Sequence, residues 1–484
     1  LRFADLIAGM PEIAASWQAH AALDVRGITA DSRAVAPGMI FAALQGTRAD
    51  GRAFIGDAVA RGAVAVLAPP GTPVPEGCVL LADAAPRRRL ALLASAFAGP
   101  PPATVVAVTG TNGKTSTVDF LRQLWTLAGL KAASLGTLGL IAPGHPGGDG
   151  LTTPDPVALA ETMAALKREG VEHVAVEASS HGLDQHRLDG LAPAAAGFTS
   201  LSRDHLDYHG DMATYRAAKL RLFAALLAPG STVVAAANLE TETLDALAAI
   251  CATRGLALLT VGEGGDAITL HTATPTPDGQ TLALTADGRR QEIRIALPGR
   301  FQADNALVAA GLARATGVPD ALALLPRLAG VRGRMERAAR LANGAAAYVD
   351  YAHTPDALER LLTALRPHTT GRLHVIVGAG GDRDRGKRKL MGAACARYAD
   401  RVIVTDDNPR SEDPAAIRAA VMEGCPGATE IAGREAAIAA GLAALAPGDI
   451  LAVAGKGHEQ GQTIGTTVHP FDDASVIRRL AEAA

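Results

Sequence analysis

The run TVVAVTGTNGKTSTVDFLRQL, Thr104 to Leu124, constrains this chain more than any other segment: an apolar strand breaks into a glycine-lysine-threonine loop that opens directly into a helix. Gly110, Thr111, Asn112 and Gly113 form a loop whose glycines let backbone N–H groups turn toward a phosphate. Lys114 adds a charge at the β/γ position, Thr115 supplies a hydroxyl for Mg²⁺, and the positive end of the helix dipole faces the same oxygens. These residues predict a nucleoside triphosphate site. The loop is shorter than the common P-loop, which wants a glycine where Val108 stands.

A second segment tests that reading. Gly381 to Lys387, GDRDRGK, has the common G-x-x-x-x-G-K spacing, but Arg388 follows where a hydroxyl is required, and Asp382 and Asp384 would repel phosphates. It does not qualify as the triphosphate cradle. It follows the apolar run Leu373 to Val377 and precedes a helical pattern, where doubly wound sheets hold ligands, and its arginines suit a substrate carboxylate.

At 484 residues the chain exceeds one core and points to about three domains. The run AGPPPAT, Ala98 to Thr104, cannot continue a helix, and a new strand–helix alternation starts near Gly330. The expected fold class is α/β in three domains. Residues 1–99 form a small N-terminal α/β domain, 100–330 a central P-loop-type, mostly parallel sheet with helices on both faces, and 331–484 a C-terminal Rossmann-like domain. Strands are expected at Val105 to Thr109, His173 to Glu177 and Ala194 to Phe198, then at Ala346 to Asp350, Leu373 to Val377, Arg401 to Thr405 and Ile450 to Ala454.

A net charge of -3 argues against a nucleic-acid partner, and no apolar run reaches the roughly 20 residues that membrane insertion needs. The segment LRFADLIAGM carries polar residues too early for a signal peptide. Cys78, Cys251, Cys395 and Cys425 show no metal-ligand spacing and read as buried thiols in a reducing cytoplasm.

Chemistry at a triphosphate needs carboxylates for Mg²⁺ and a group that manages the acceptor. Glu177 closes an otherwise apolar strand, where a carboxylate is costly unless it meets a cation, so beside the loop it suits magnesium. The segment RDHLDYHGDMATYRAAKLRLF combines His205, Asp207 and His209 with a helix carrying Lys219. By itself Lys219, flanked by Ala217, Ala218 and Leu220, reads as a lysine snorkelling along packed surface.

Taken together, G-T-N-G-K-T, E-A-S-S-H-G-L, D-H-L-D-Y-H-G with its later lysine, D-N-A-L after Phe301, G-R-M-E at Gly333 to Glu336 and D-Y-A-H-T-P at Asp350 to Pro355 resemble the Mur ligase family, ATP-dependent amino-acid ligases of peptidoglycan synthesis. The motifs run in order through essentially the whole chain. The resemblance implies an N-terminal domain for the UDP end of the substrate, a central ATPase and a C-terminal domain for the incoming amino acid. It implies ATP and two Mg²⁺ ions, one on Thr115 and Glu177 and one on His205 and a Lys219 carbamylated by CO₂ (N6-carboxylysine). Lys114, Lys219, His205 and Glu177 would form the catalytic set, with Asn305, Arg334, Asp350 and His353 around adenosine and the phosphates. Ser32, Thr47, Arg48 and Ala49 would hold UDP, and Thr152, Thr153, Ser179, Gln185 and Arg187 the muramoyl-dipeptide. Gln302 stands where asparagine is commoner, and Asn238-Leu239-Glu240 lacks an acidic pair often seen there. Locally, Asn305 could instead cap a helix and Asp350 could be a turn residue.

The added amino acid is expected to be read by TDDNPRSEDP. As a local feature D-N-P is a turn. Within the family, Asp407, Asn408, Pro409 and Arg410 resemble the form selecting meso-diaminopimelate, which differs from lysine by a second carboxylate, and a bidentate arginine matches that group. Arg383 would add a second guanidinium, with Gly455 and Glu459 at the distal end. The expected partners are UDP-MurNAc-L-Ala-D-Glu and meso-diaminopimelate, with a monomeric enzyme. Two rivals remain: a folylpolyglutamate synthetase, which shares the G-T-N-G-K loop but begins close to it, and a P-loop switch or motor ATPase, which the short loop and the Lys219 segment disfavour.

Overall fold

Alternation with a period of two decides the layers. In the strand Thr104–Thr109, Val106 and Val108 join one buried cluster with Phe120, Leu124 and Trp125, while Val105 and Ala107 join another with Met163, Val176 and Phe198. A strand apolar on both faces belongs inside a sheet covered twice. The computed structural model describes residues 1–10, 12–46, 49–148 and 150–482, and Thr104–Thr109 lies in the middle of its largest sheet. There, Ala257–Gly262, Thr232–Ala236, Ala195–Phe198, Thr104–Thr109, His173–Glu177 and Ala132–Gly136 are successive parallel neighbours.

Beyond Ala257–Gly262 the sheet continues into Ile268–Thr276, Gly279–Ala286 and Arg289–Ile295, antiparallel to one another. The parallel alternation read from sequence did not include this meander. Its signal was present in the pairs Asp278-Gly279 and Asp287-Gly288, which are hairpin punctuation. Asp287 and Gly288 both take left-handed backbone, φ 50° and 70°, as a two-residue hairpin turn requires.

The first sheet has four parallel strands in chain order, Gly27–Thr29, Met39–Ala42, Ala65–Ala68 and Val79–Ala82. The third runs Glu336–Arg340, Ala346–Asp350, Ile450–Ala454, Leu373–Val377, Arg401–Val404 and Thr429–Glu430, all parallel except the first pair. It too is covered twice: Val375 and Val377 face one cluster, and Ile376, Leu451 and Val453 the other. The carboxyl ends of its parallel strands therefore open together on one edge, where such sheets hold ligands.

The helix Arg300–Ala315 is buried along most of its length, because its alanines and glycine let it lie close against both the sheet and the loop helix Lys114–Leu127. The third sheet is tied to this central unit by His368. Its Nδ1–H donates to Thr276 O at 2.8 Å while Nε2 accepts from Gly299 N at 2.9 Å, which sets the neutral tautomer. Cys251, Cys395 and Cys425 are buried as expected, but Cys78 is partly exposed.

Arg434 and Asp473 form an ion pair with both side chains fully buried, Nε to Oδ1 and Nη2 to Oδ2 each 2.7 Å. The guanidinium also donates to Ala454 O at 2.9 Å and so pins a strand end beside the ligand edge. Asp473→Ala would leave that cation buried and unpaired. We expect a stability loss of about 3–5 kcal/mol, read from denaturant unfolding of the whole chain.

Candidate active site

The loop after Thr104–Thr109 is held open by its neighbours. Thr199 Oγ1 donates to Asn112 O at 2.6 Å, Asn112 N donates to Ser200 Oγ at 3.0 Å, and Thr111 N donates to Ser200 O at 2.7 Å. Gly113 caps the helix with φ 86°, and a β-carbon there would collide with Asn305 Oδ1. Asn305 thus lies inside the helix Arg300–Ala315 and does not cap it; its side chain abuts the phosphate loop, and it is buried. Lys114 Nζ folds back across the loop to Gly110 O and Thr111 O, both 2.9 Å.

Glu177 is the last residue of its strand, only 2% exposed. Thr115 Oγ1 donates to its Oε2 at 3.1 Å, Thr137 N to Oε1 at 2.8 Å, and Thr137 Oγ1 to Oε2 at 3.3 Å. Burial pushes the Glu177 carboxyl above its usual range, with Lys114 opposing. A buried carboxylate and a threonine hydroxyl at the mouth of a phosphate loop are hard oxygen donors, the kind that Mg²⁺ takes.

Lys219 is 1% exposed, which replaces the snorkelling picture with a lysine facing the site. Its Nζ donates to Gly110 O at 2.7 Å and lies 4.5 Å from the centre of the Tyr215 ring. Burial, and then the Lys114 charge, push its ammonium well below the ordinary lysine value. Tyr215 shares a 3.1 Å hydrogen bond with Thr111 Oγ1, and burial pushes its phenol up to about 12. His205, half exposed in left-handed backbone at φ 52°, lies against the His181 ring at 4.9 Å and 6.4 Å from that of Tyr215. His205 and Lys219 therefore share the Tyr215 ring as a neighbour.

The residues expected around adenosine gather where the third sheet meets the central unit. Asp350 accepts from Met335 N at 2.7 Å and Ala352 N at 2.8 Å, so it does close a turn; burial raises its carboxyl while Arg334 opposes. The Arg334 guanidinium stacks on Tyr351 at 4.9 Å, and Gln302 Nε2 donates to Arg334 O at 3.0 Å. His353 Nδ1 donates to Tyr351 O at 2.8 Å.

Ser32, Ala49, Gln185 and Arg187 line one cleft of about 1090 Å³ between the first sheet and the central unit. Thr47 and Arg48 lie outside the described residues. Thr152, Thr153 and Ser179 do not line the cleft; they connect it to Glu177. Arg187 Nη1 donates to Thr153 O at 2.7 Å, Thr153 Oγ1 donates to Glu177 O at 2.8 Å and meets Ser179 Oγ at 3.0 Å, and Thr152 meets Thr137 at 3.2 Å.

On the ligand edge of the third sheet, Arg410 takes φ 52° and its Nη1 donates to Gly381 O at 2.8 Å. A β-carbon on Gly380 would lie 2.9 Å from Arg410 Nη1 and 3.6 Å from Arg383 Cγ, so the Arg410 guanidinium and the Arg383 stem both pack over that glycine. Of the other arginines in GDRDRGK, Arg385 is engaged by Glu412, as is Arg388 just beyond it; Arg383 makes no ion pair among the described residues. Asp382 turns to Ser411 at 2.6 Å. Gly381 N donates to Asn408 O at 2.9 Å and Asp382 N to Glu412 Oε1 at 2.7 Å, fastening the two loops. Gly455 lies against the Asp407 carboxylate and donates to Asp350 O at 3.1 Å; Asn408 Nδ2 donates to Glu459 Oε2 at 2.9 Å.

Three family descriptions match: "Mur ligase family, catalytic domain" over residues 24–93, "Mur ligase middle domain" over 108–313 and "Mur ligase, glutamate ligase domain" over 333–457. This chain belongs to the Mur ligase family. The UDP-N-acetylmuramoyl-L-alanyl-D-glutamate–2,6-diaminopimelate ligase of Caulobacter vibrioides is 54% identical over 466 residues, 95% of this chain and 96% of that protein. The enzyme of the same name from Rhizobium meliloti is 51% identical over 97% of both chains. A solved structure of a ligase of that name has a TM-score of 0.74 at 32% identity and covers 100% of this chain and 99% of its own. A Mycobacterium tuberculosis folylpolyglutamate synthase shares the fold at 19% identity, with a TM-score of 0.62 over 82% of this Mur ligase chain and 94% of its own.

Sequence reasoning missed Thr137 and Thr199, which have no motif signal because they act through contacts distant in sequence, and passed over Tyr215 and Tyr351, which lie in the quoted Lys219 segment and the D-Y-A-H-T-P motif. It also missed Lys456, whose flanking glycines in AGKGHEQ were a usable cue. Gly113→Ala places a β-carbon in left-handed backbone and against Asn305. We expect at least about a hundredfold loss of ATP turnover with retained circular dichroism, measured beside a fluorescent-nucleotide titration.

Proposed function

We propose that this enzyme adds meso-diaminopimelate to the D-glutamate γ-carboxylate of UDP-MurNAc-L-Ala-D-Glu at the expense of ATP, in peptidoglycan synthesis. The observation that carries the reading is the Arg410 guanidinium over Gly380, with the stem of Arg383 on the same glycine, on the ligand edge of the third sheet, in a Mur ligase chain whose near-full-length relatives carry that ligase name. Two guanidinium groups suit the extra carboxylate that separates diaminopimelate from lysine.

The γ-carboxylate oxygen attacks the γ-phosphorus of ATP as the bond to the β,γ-bridging oxygen breaks, giving an acyl phosphate and ADP. The amine nitrogen of the amino acid then attacks the acyl carbon and sheds a proton. The tetrahedral intermediate expels phosphate and leaves an amide. Lys114, beside the loop carbonyls, is placed to pair with the transferred phosphoryl group, and positioning and charge carry most of the catalysis. Asn305, Arg334, Asp350 and His353 hold the nucleotide; Ser32, Ala49, Gln185 and Arg187 hold the UDP-dipeptide in the cleft, with Thr152, Thr153 and Ser179 behind it.

The donor set fits Mg²⁺. Thr115 and Glu177 would hold one ion, and His205 with a carbamylated Lys219 the other; the ions would supply positive charge to the phosphate oxygens. Lys219 suits the CO₂ adduct because burial and the Lys114 charge favour its neutral amine, the form that takes up CO₂. The three domains divide at 99/100 and 330/331, each built around one main sheet, with a small two-stranded sheet, Gly461–Ile464 and Thr467–Pro470, added in the third. Among the described residues no helix is long and apolar enough to cross a membrane, and we read the enzyme as a cytoplasmic monomer.

An amino-acid panel in a coupled phosphate-release assay tests the reaction and its specificity. Turnover should need both the UDP-dipeptide and diaminopimelate; ATP hydrolysis indifferent to them sinks the ligase reading. Arg410→Ala should lower kcat/KM for diaminopimelate at least about a hundredfold, and unchanged kinetics would refute its role. Lys219→Ala should abolish turnover together with the carbamate ¹³C resonance seen in labelled bicarbonate.

A further inference from the structure

The Lys456 side chain is completely buried, an unusual state for a lysine, and the reaction above gives it no role. Its Nζ donates to Asn408 Oδ1 and to Glu459 Oε2, both at 3.1 Å, and lies 3.7 Å from Asp407 Oδ1. Three members of the amino-acid set therefore meet at one ammonium.

Each contact has a consequence. Asn408 Oδ1 also accepts from Thr463 N at 2.9 Å, so the amide cannot flip without losing both donors. Its Nδ2 is thereby directed onto Glu459 Oε2 at 2.9 Å. Lys456 and Asn408 both reach Glu459 through that one oxygen, while the side chain stays 32% exposed. Asp407 is 7% exposed, and its Oδ1 has no hydrogen-bond partner among the described residues. At 3.7 Å the ammonium is a counter-charge and not a hydrogen bond. A buried carboxylate oxygen of this kind accepts a donor from a ligand amine.

We propose that Lys456 is a positioning and specificity residue of the amino-acid site. It fixes Asn408 and Glu459 in the orientation that meets the incoming amino acid, and it offsets the Asp407 and Glu459 charges so that a carboxylate-bearing end is accepted. This rests on the diaminopimelate reading. Arg434 is already neutralised by Asp473, so the charges left around the edge include Arg383, Lys387, Arg410 and Lys456 against Asp407 and Glu459. Removing Lys456 tips that edge toward acid. Lysine, whose far end is a bare ammonium, then gains on diaminopimelate, whose far end also carries a carboxylate.

The test uses the full-length enzyme. Wild-type turnover that ignores diaminopimelate overturns the reaction reading, and this proposal with it. With that dependence present, Lys456→Met should raise the KM for diaminopimelate about tenfold or more and leave the KM for ATP within about twofold. The ratio of kcat/KM for diaminopimelate to that for lysine should fall at least about tenfold. An unchanged KM for diaminopimelate overturns the proposal while leaving the reaction intact. An equal loss with both amino acids also overturns it, since a lysine that only supports the fold would act on both alike. If the methionine variant does not fold, Lys456→Gln keeps a donor, drops the charge and is held to the same ratio.

Discussion

The buried carboxylate of Glu177 is the constraint on which the central site depends. A carboxylate 2% exposed at the end of an apolar strand is costly, and here it is offset by the Thr115 hydroxyl, the Thr137 amide and hydroxyl, and the nearby Lys114 charge. Those donors come from the helix after the phosphate loop and the turn after Ala132–Gly136. The same residue's carbonyl accepts from Thr153, which leads to Arg187 and the cleft beside the first sheet. One acid thus ties the phosphate-loop helix to the cleft beside the first sheet.

The third sheet enters through a different set of contacts. Gln302 reaches Arg334, and His368 reaches Gly299 and Thr276, so the helix that abuts Gly113 is also fastened to the domain carrying the amino-acid edge. Tyr351 joins two segments: Arg334 stacks on it from one side, and His458 of the GKGHE turn lies 5.1 Å from its ring. Gly455 of the same turn donates to Asp350 O, so a backbone hydrogen bond joins the two strand ends as well.

Much of this was legible along the chain. The strands His173–Glu177, Ala346–Asp350, Leu373–Val377 and Ile450–Ala454 were readable to the residue, because strands buried on both faces are short apolar runs bounded by polar or glycine punctuation. The phosphate loop was readable because its glycines and lysine are contiguous. The antiparallel meander was not, since its strands mix exposed threonines and arginines with buried leucines and isoleucines, leaving two Asp-Gly pairs as the clearest sign. Asn305 was ambiguous between cap and site until the helix placed it against Gly113.

By itself the sequence determined the α/β class, the phosphate loop and the order of motifs along the chain, because those rest on local periodicity and on residues adjacent in the chain. Only the tertiary structure decided that Lys219 faces the loop and not solvent, that Arg410 and the stem of Arg383 pack over Gly380, and that Lys456 is buried among Asp407, Asn408 and Glu459. These are matters of burial and of contacts between distant segments, and a side chain's charge becomes chemistry only once its surroundings are set.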